Sequence, residues 1–289
     1  MTVEVIIRTL AEAGRRTSLI NAIDSLMRGQ RCRVRPIIVI NGDRFDAAVI
    51  AAVRQIAGVH VVHIVGGLQR ALIAGRSAVS APYFAFLDDD DAYLPNGVDA
   101  MLAAIEAQPE ADAVVTNGYL SSVDGRQQPI ISDVDAVGRA PLAALRQANW
   151  LYPSGTIFRS IAFPVDWFGD IPPLFEWTWI AYKASLSKKV RFSPQFSYRY
   201  NDTPHSLSKS FEMLVYEDDF LRELETLPLP REERRSLRRK HGAALHAISD
   251  ECRRRGKRRL AAVYHVHSLL KPGGCRYLPY TRHLLTIPR

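Results

Sequence analysis

The chain has 289 residues, 47% of them hydrophobic and 24% charged, enough for one large or two modest domains with a substantial core. No uninterrupted apolar run reaches roughly 18 residues, which excludes a transmembrane helix. An acidic Glu4 with no cationic lead-in before the first apolar residues speaks against a signal peptide. The formal charge of +8 is uneven: residues 231–289 hold 16 Lys/Arg against 4 Asp/Glu, a net of +12, whereas residues 1–230 hold 22 against 26, a net of −4. A basic segment on a near-neutral body suggests an anionic partner. Three cysteines, Cys32, Cys252 and Cys275, have neither metal nor redox spacing and point to a reducing compartment, with the cytoplasm as default.

In chain order, Val3–Ile7 reads as a strand ending at Arg8-Thr9. The apolar residues Leu19, Ile20, Ile23, Leu26 and Met27 put a helix over Thr17–Met27. Pro36–Ile40 is a second strand, stopped by the turn Asn41-Gly42-Asp43. A helix is expected over Asp46–Ala57, a strand over His60–Val65 and a helix over Leu68–Ser80, which carries Arg70 and Arg76. Tyr83–Leu87 is a strand, Leu94–Gln108 a helix that Pro95 could start, and Ala113–Tyr119 a fifth strand. Short connections between alternating strands and helices imply parallel βαβ units and a doubly wound sheet. Thr9, Asn41, Asp43, Arg70, Arg76 and an aspartate run would then lie along one sheet edge.

That run is the most informative stretch. Five mostly apolar residues, Tyr83 to Leu87, lead straight into Asp88, Asp89, Asp90 and Asp91. Four like charges repel one another and resist burial unless a cation sits among them. Mg²⁺ and Mn²⁺ favour carboxylate, water and phosphate oxygens, and ligands of open α/β sheets bind outside the carboxyl ends of strands. The plain alternative is a solvated acidic turn capping a helix.

Beyond residue 120 the pattern changes. Ser121–Arg139 reads as a long loop or short hairpin, Ser154–Phe158 as a strand, Asp170–Pro173 as a rigid loop and Glu176–Lys183 as a short helix. Val190–Phe192 and Phe196–Tyr200 look like two further strands. Phe211–Leu227 is an amphipathic helix, acidic on one side. After the break at Leu227–Pro230, three basic helices are expected over Arg231–Arg255, Lys257–Leu270 and Arg276–Leu285.

Taken together, the first strand with Val5-Ile6-Ile7-Arg8-Thr9, the Asn21–Leu26 helix, Ile37–Gly42, the Gly75–Asp91 stretch with Tyr93-Leu94-Pro95, Ser154–Arg159, Phe175–Trp179 and His205–Ser208 resemble the family 2 glycosyltransferases of the GT-A fold, over roughly residues 3–210. No one motif decides this, and a DXD alone is weak; order and spacing carry it. The resemblance implies an α/β, Rossmann-like mixed sheet flanked by helices. It divides the chain into a catalytic domain, 1–210, with a nucleotide-sugar half (1–120) and an acceptor half (121–210), followed by a basic helical extension, 211–289.

The resemblance also implies roles. Asp90 would be the main ligand of Mn²⁺ or Mg²⁺. Asp88 would lie near ribose and metal, and Asp91 would support them. Asp89 would stand on the donor side as the variable middle position, pointing away. Thr9, Asn41 and Asp43 would contact the base and ribose of a nucleotide-diphosphate sugar, with a UDP-sugar favoured, although Asn41 stands where the family usually has an acidic residue and leaves the base open. Arg76 would neutralise the diphosphate or fix the aspartate loop, and His205 would touch metal or diphosphate. Glu176, alone where the family has a Glu-Asp pair, would be the general base of an inverting transfer; its alternative duty is to cap the helix it begins, with Asp166 and Asp170 next in line. Trp150, Tyr152, Trp177 and Trp179 could form an acceptor platform or simply pack. The expected acceptor is a saccharide or lipid-linked saccharide of cell-surface polysaccharide or glycolipid synthesis. The basic extension would serve an anionic membrane surface on the inner face, or be only a solvated face; no recognition motif for nucleic acid accompanies it. Rival classes are a catalytically idle sugar-nucleotide binder, a haloacid-dehalogenase-type phosphohydrolase and a sugar nucleotidyltransferase.

Overall fold

Thr2–Thr9 form β1, and its pairing with strands on both sides sets the rest of the sheet. The computed structural model describes residues 1–122, 125–172, 174–201 and 211–285. The chain divides into two compact units, Met1–Thr203 and Pro204–Arg289.

In the first unit, β1 is followed by α1 (Arg16–Met27), β2 (Arg33–Asn41), α2 (Ala47–Arg54), β3 (His60–Ile64), α3 (Leu68–Ser77), β4 (Tyr83–Asp88), a two-residue β5 (Ala92–Tyr93) and α4 (Gly97–Glu106). Then come β6 (Ala113–Ser121), β7 (Gln127–Pro129), α5 (Val134–Arg139), α6 (Pro141–Ala144), β8 (Thr156–Arg159), α7 (Glu176–Ser187) and β9 (Val190–Asn201). The sheet order is β3-β2-β1-β4-β8-β6-β9-β5, with β7 on β6. The first four strands are parallel. β8 runs antiparallel to both β4 and β6, and β9 is parallel to β6. The carboxyl ends of β1, β2, β4, β6 and β9 therefore share one edge, where loops gather polar side chains.

The central strands are covered on both faces, as parallel strands require. Val3, Val5, Ile6 and Ile7 of β1, Ile37–Ile40 of β2 and Phe84–Leu87 of β4 are all buried. Phe84 stacks on Phe158 of β8 at 5.1 Å between centroids. Glu4, fully buried in β1, accepts from the backbone N–H groups of Ser80 (2.5 Å) and Ala81 (2.7 Å) and pairs with Arg35, so its charge is not left bare.

Three elements depart from expectation. The helix after β5 begins at Gly97 rather than Leu94, because the N–H of Leu94 donates to the Ser197 carbonyl and Asn96 takes a left-handed backbone, φ 57°. The two short strands around Pro194 are one twelve-residue strand, β9, whose register with β6 slips between Thr116 and Gly118. The Ser121–Arg139 stretch holds β7 and a six-residue helix capped by Asp133.

The second unit consists of α8 (Phe211–Leu224), α9 (Arg231–Arg254), α10 (Arg258–Leu269), a 3₁₀ segment (Gly274–Tyr280) and α11 (Thr281–Leu285). Ile248, Cys252 and Ala261 form its small core, and His241 on α9 is buried between Asp218 (2.6 Å) and Glu225 (2.7 Å). No helix among the described residues is long and apolar enough to cross a membrane.

Gly97 is a point of close approach: a Cβ there would lie 2.1 Å from the Ser197 carbonyl oxygen. Gly97→Ala is expected to cost about 1–3 kcal/mol through the forced shift. Differential scanning calorimetry should show this as a lower unfolding midpoint, at about 2–4 °C per kcal/mol for a domain of this size.

Candidate active site

Adjacent residues of a strand face opposite sides of its sheet, and this separates two clusters at the carboxyl edge of β1 and β4. On one side Thr9 donates its hydroxyl proton to Asp89 Oδ2 at 2.6 Å and accepts from the Ala11 N–H at 2.9 Å. Arg15 Nη1 completes this cluster, 2.5 Å from Asp89 and 3.4 Å from Asp90. On the other side, the Arg8 guanidinium donates to Glu176 Oε1 at 2.9 Å and stands 3.9 Å from Asp88 Oδ1. It also lies 5.4 Å from the Trp177 ring centroid. Arg8 thus joins the aspartate edge to the first residue of α7. Phe175, just before Glu176, has a left-handed backbone at φ 60°, which turns the chain into the helix and costs a non-glycine residue about 1–2 kcal/mol.

The four aspartates have distinct environments. Asp91 is buried and accepts from the Ser154 hydroxyl (2.9 Å) and the Asn201 N–H (3.1 Å). Asn201 also donates to the Asp90 carbonyl at 2.6 Å, tying the end of β9 to the loop. Burial pushes the Asp91 carboxyl well above the usual carboxylate range, and the Asp88 charge adds to this. Burial raises Asp89 as well, against the pull of Thr9 and Arg15. Asp88 opens to solvent at 34% of its side chain, yet desolvation and the neighbouring Asp90, Glu176 and Asp89 carboxylates push it up to about 7 despite Arg8. Tyr152 and Tyr200 flank this edge, 5.5 Å apart edge to face. Burial and the aspartates push the Tyr200 phenol up to about 12.

At the end of β2, Asn41 is buried and its Oδ1 has no hydrogen-bond partner among the described residues. An orphaned buried acceptor is costly unless a ligand supplies a donor. Asp43, in the same turn, is exposed.

The sequence model for the family "Glycosyl transferase family 2" matches residues 4–162, more than half of the chain, including most of β1, all of β4 and the aspartates. The chain belongs to glycosyltransferase family 2. This family 2 member is a glycosyltransferase, and its mixed sheet flanked by helices is the GT-A fold. Among solved structures, S. aureus TarS 1-349 in complex with UDP-GlcNAc aligns with a TM-score of 0.59 at 15% identity, covering 100% of this chain and 93% of that one. The S. aureus TarS 1-349 complex with UDP gives a TM-score of 0.57 at 15% identity with the same coverage, 100% and 93%. Another S. aureus TarS crystal structure gives 0.55 at 17% identity, covering 87% of this chain and 43% of that one. No curated protein matches the sequence.

Two expected roles in this family 2 transferase need correction. Arg76 donates to the carbonyls of Phe163 and Ser160, both at 2.8 Å, and lies 4.7 Å from the Phe84 ring centroid. It closes the last turn of α3, which returns to the opposite sheet edge from the aspartates, where Ser160 bonds the Pro82 carbonyl ahead of β4. Arg76 is a buried structural arginine and does not belong to the site. Asp89 is not an open donor-side residue: it is buried on the side away from Asp88, with Thr9 and Arg15 as partners. Thr9 in turn spends its hydroxyl on Asp89. Of the aromatic residues, Trp150 and Trp179 are buried packing, whereas Tyr152 and Trp177 are partly open. Trp177 meets Phe86 edge to face at 4.9 Å. Glu176 begins α7, where a carboxylate suits the helix dipole, but among the described residues its carboxylate bonds Arg8. Lys183 holds Asp170 at 2.5 Å, well along the same helix. His205 lies outside the described residues. Arg8 and Arg15 are the side chains that sequence inspection missed.

Among the described residues no three His, Cys, Asp or Glu side chains form a ready metal cage. A Mg²⁺-type site would need only one or two carboxylates, its shell being completed by water and substrate phosphates. Within the run of four aspartates, Asp88 and Asp90 are the two that remain partly open.

Because Asp88, Asp89 and Asp91 all have carboxyl groups raised in the folded chain, the fold binds protons that the unfolded chain has released. Their stabilisation is complete below the unfolded pKa near 4 and fades as pH rises through the folded values. The metal-free protein should therefore have a lower thermal midpoint at about pH 8 than at about pH 5.5, and Asp88→Asn should flatten the decline. A midpoint that rises steadily over that range in both proteins would contradict the crowding of these carboxyls.

Proposed function

We propose that the protein transfers a sugar from a UDP-sugar to a hydroxyl group of a saccharide or lipid-linked saccharide, with inversion at the anomeric carbon and with Mn²⁺ or Mg²⁺ bound beside the aspartates. One observation carries the proposal: a single guanidinium, Arg8, spans 2.9 Å to Glu176 and 3.9 Å to Asp88, so a carboxylate suited to a base and a carboxylate edge suited to a diphosphate share one site.

In this proposal the donor base takes the place of the missing partner of Asn41. Uracil offers an N–H donor to an amide oxygen that has no donor of its own. Asp43 then faces the ribose. Asp88 and Asp90 would hold the cation, which supplies Lewis-acid stabilisation of the departing diphosphate. Asp89, locked by Thr9 and Arg15, keeps the loop in register and leaves Asp88 and Asp90, the latter 3.4 Å from Arg15, partly open.

On the acceptor side, Glu176 takes the proton of the attacking hydroxyl. The new bond forms between that oxygen and the anomeric carbon; the bond to the diphosphate oxygen breaks, and its electron pair leaves with the diphosphate. Arg8 occupies Oε1 of Glu176, while Oε2 makes no hydrogen bond among the described residues and is the oxygen available to the acceptor. Trp177 and Tyr152, partly open beside the two carboxylate groups, offer apolar faces to sugar C–H surfaces.

A thermal-shift panel of UDP, GDP, CDP and dTDP should single out UDP, with a larger shift when Mn²⁺ is added, since a ligand that binds only the folded chain stabilises it by mass action. No shift with any of the four, with or without metal, would sink the proposal. Glu176→Gln should lower kcat by about 10²–10⁴-fold while UDP binding persists. Transfer at near-wild-type rate in that variant would remove Glu176 as the base.

A further inference from the structure

The outer face of α10 carries an apolar stripe that nothing in its own unit covers. Leu260, Val263, Val266 and Leu270 are exposed to 42%, 50%, 52% and 76%. At about 100° per residue they fall within an arc of about 120°. The opposite face, Ala261, His265 and Ser268, is buried against the rest of the unit. The side of α10 turned to solvent is thus mainly apolar, with Arg259 at its amino-terminal end and His267 the exposed polar residue within the arc, unlike an ordinary surface helix.

Its amino-terminal end is cationic. Lys257, Arg258 and Arg259 are exposed and form no ion pair among the described residues, and the first turn holds no acid. Cations at this end oppose the helix dipole, a cost that an anionic layer beside them would offset. The carboxyl end of the stripe opens onto a cavity of about 370 Å³ lined by Arg222, Arg238, His241, His267, Leu270 and Lys271. Arg222, Arg238 and Lys271 of this cavity are already paired with Asp218 and Glu225, so the unpaired cations are those at the amino-terminal end, and an apolar stripe beside them matches the boundary of an anionic bilayer, in which phosphates lie beside acyl chains. A second copy of the chain fits less well, because each copy brings its own net +12 over residues 231–289.

We infer that α10 is a docking face for an anionic lipid bilayer, with Leu260, Val263, Val266 and Leu270 seated among the acyl chains and Lys257, Arg258 and Arg259 on the headgroup phosphates. The inference names the surface through which the proposed enzyme would meet a lipid-linked acceptor, but its basis lies wholly in the C-terminal unit and stands apart from the donor chemistry.

The test is co-sedimentation of the full chain with vesicles of phosphatidylcholine alone and of phosphatidylcholine with about 30 mol% phosphatidylglycerol, alongside size-exclusion chromatography and a UDP thermal shift. The wild type should sediment with the anionic vesicles only, and less at high salt. Val263→Ser/Val266→Ser/Leu270→Ser should bind those vesicles at least about tenfold more weakly, and Arg258→Glu/Arg259→Glu should lose binding, with circular dichroism and the UDP shift unchanged in both. Absence of wild-type binding to anionic vesicles, or equal binding by the stripe variant, would overturn the inference. So would a wild-type dimer that the stripe variant dissolves, since the stripe would then be covered by a second copy. Failure of the UDP shift with vesicle binding intact would count against the donor chemistry alone.

Discussion

Everything at this site hangs on the ion pair between Arg8 and Glu176. Both side chains are about nine-tenths buried, 2.9 Å apart, and they come from positions 168 residues apart in sequence. Breaking a buried pair by removing one partner leaves a bare charge and typically costs about 3–5 kcal/mol. The pair therefore fixes where α7 begins relative to β1, and with it the place of a carboxylate facing the aspartate edge. The same guanidinium offsets Asp88, whose carboxyl is crowded by Asp90, Glu176 and Asp89. One cation sets the spacing between two groups of like charge that would otherwise push apart.

The alternation of strand residues divides the work. Arg8 and Asp88 meet on one side of the sheet edge, Thr9 and Asp89 on the other. The second pair, with Arg15, is a closed and satisfied cluster suited to holding the loop. In the first, Arg8 is shared between Asp88 and Glu176 and the Asp88 side chain stays partly open, at 34%. Asp91, tied to Ser154 and Asn201, anchors the loop to β9 and to the turn before β8. Of four consecutive aspartates, two are committed to structure and two remain partly open at the cleft.

Much of this was legible in the sequence because it follows from periodicity. An apolar run ending in acids had to be a buried strand with its charges at a sheet edge, and Asn41 followed from the same logic for β2. Arg76 was misplaced although the needed rule was available: a helix that starts at the carboxyl edge of a parallel sheet ends at the other edge, so its last turn cannot reach the aspartates. Arg8 was passed over because a charged residue at the end of an apolar strand resembles a boundary, and nothing local signals a partner 168 positions away. Asp89 was judged by its middle position in a motif, whereas its neighbour Thr9 on the adjoining strand decides its role. Pro194 hid the continuity of β9, since a proline within a strand ordinarily marks an end or an edge. The proposed docking face on α10 was visible in sequence only as charge; its apolar half emerges once the buried face of the helix is known.

The most direct test is a crystal structure of the protein with UDP and Mn²⁺, with anomalous data collected at the manganese absorption edge. The expected result is a manganese peak within coordination distance of Asp90 or Asp88 and of the diphosphate, with uracil against Asn41 and the Arg8–Glu176 pair intact across the cleft. Bound UDP with no manganese at the aspartates, or with its diphosphate away from them, would contradict the assignment of this edge as the donor site.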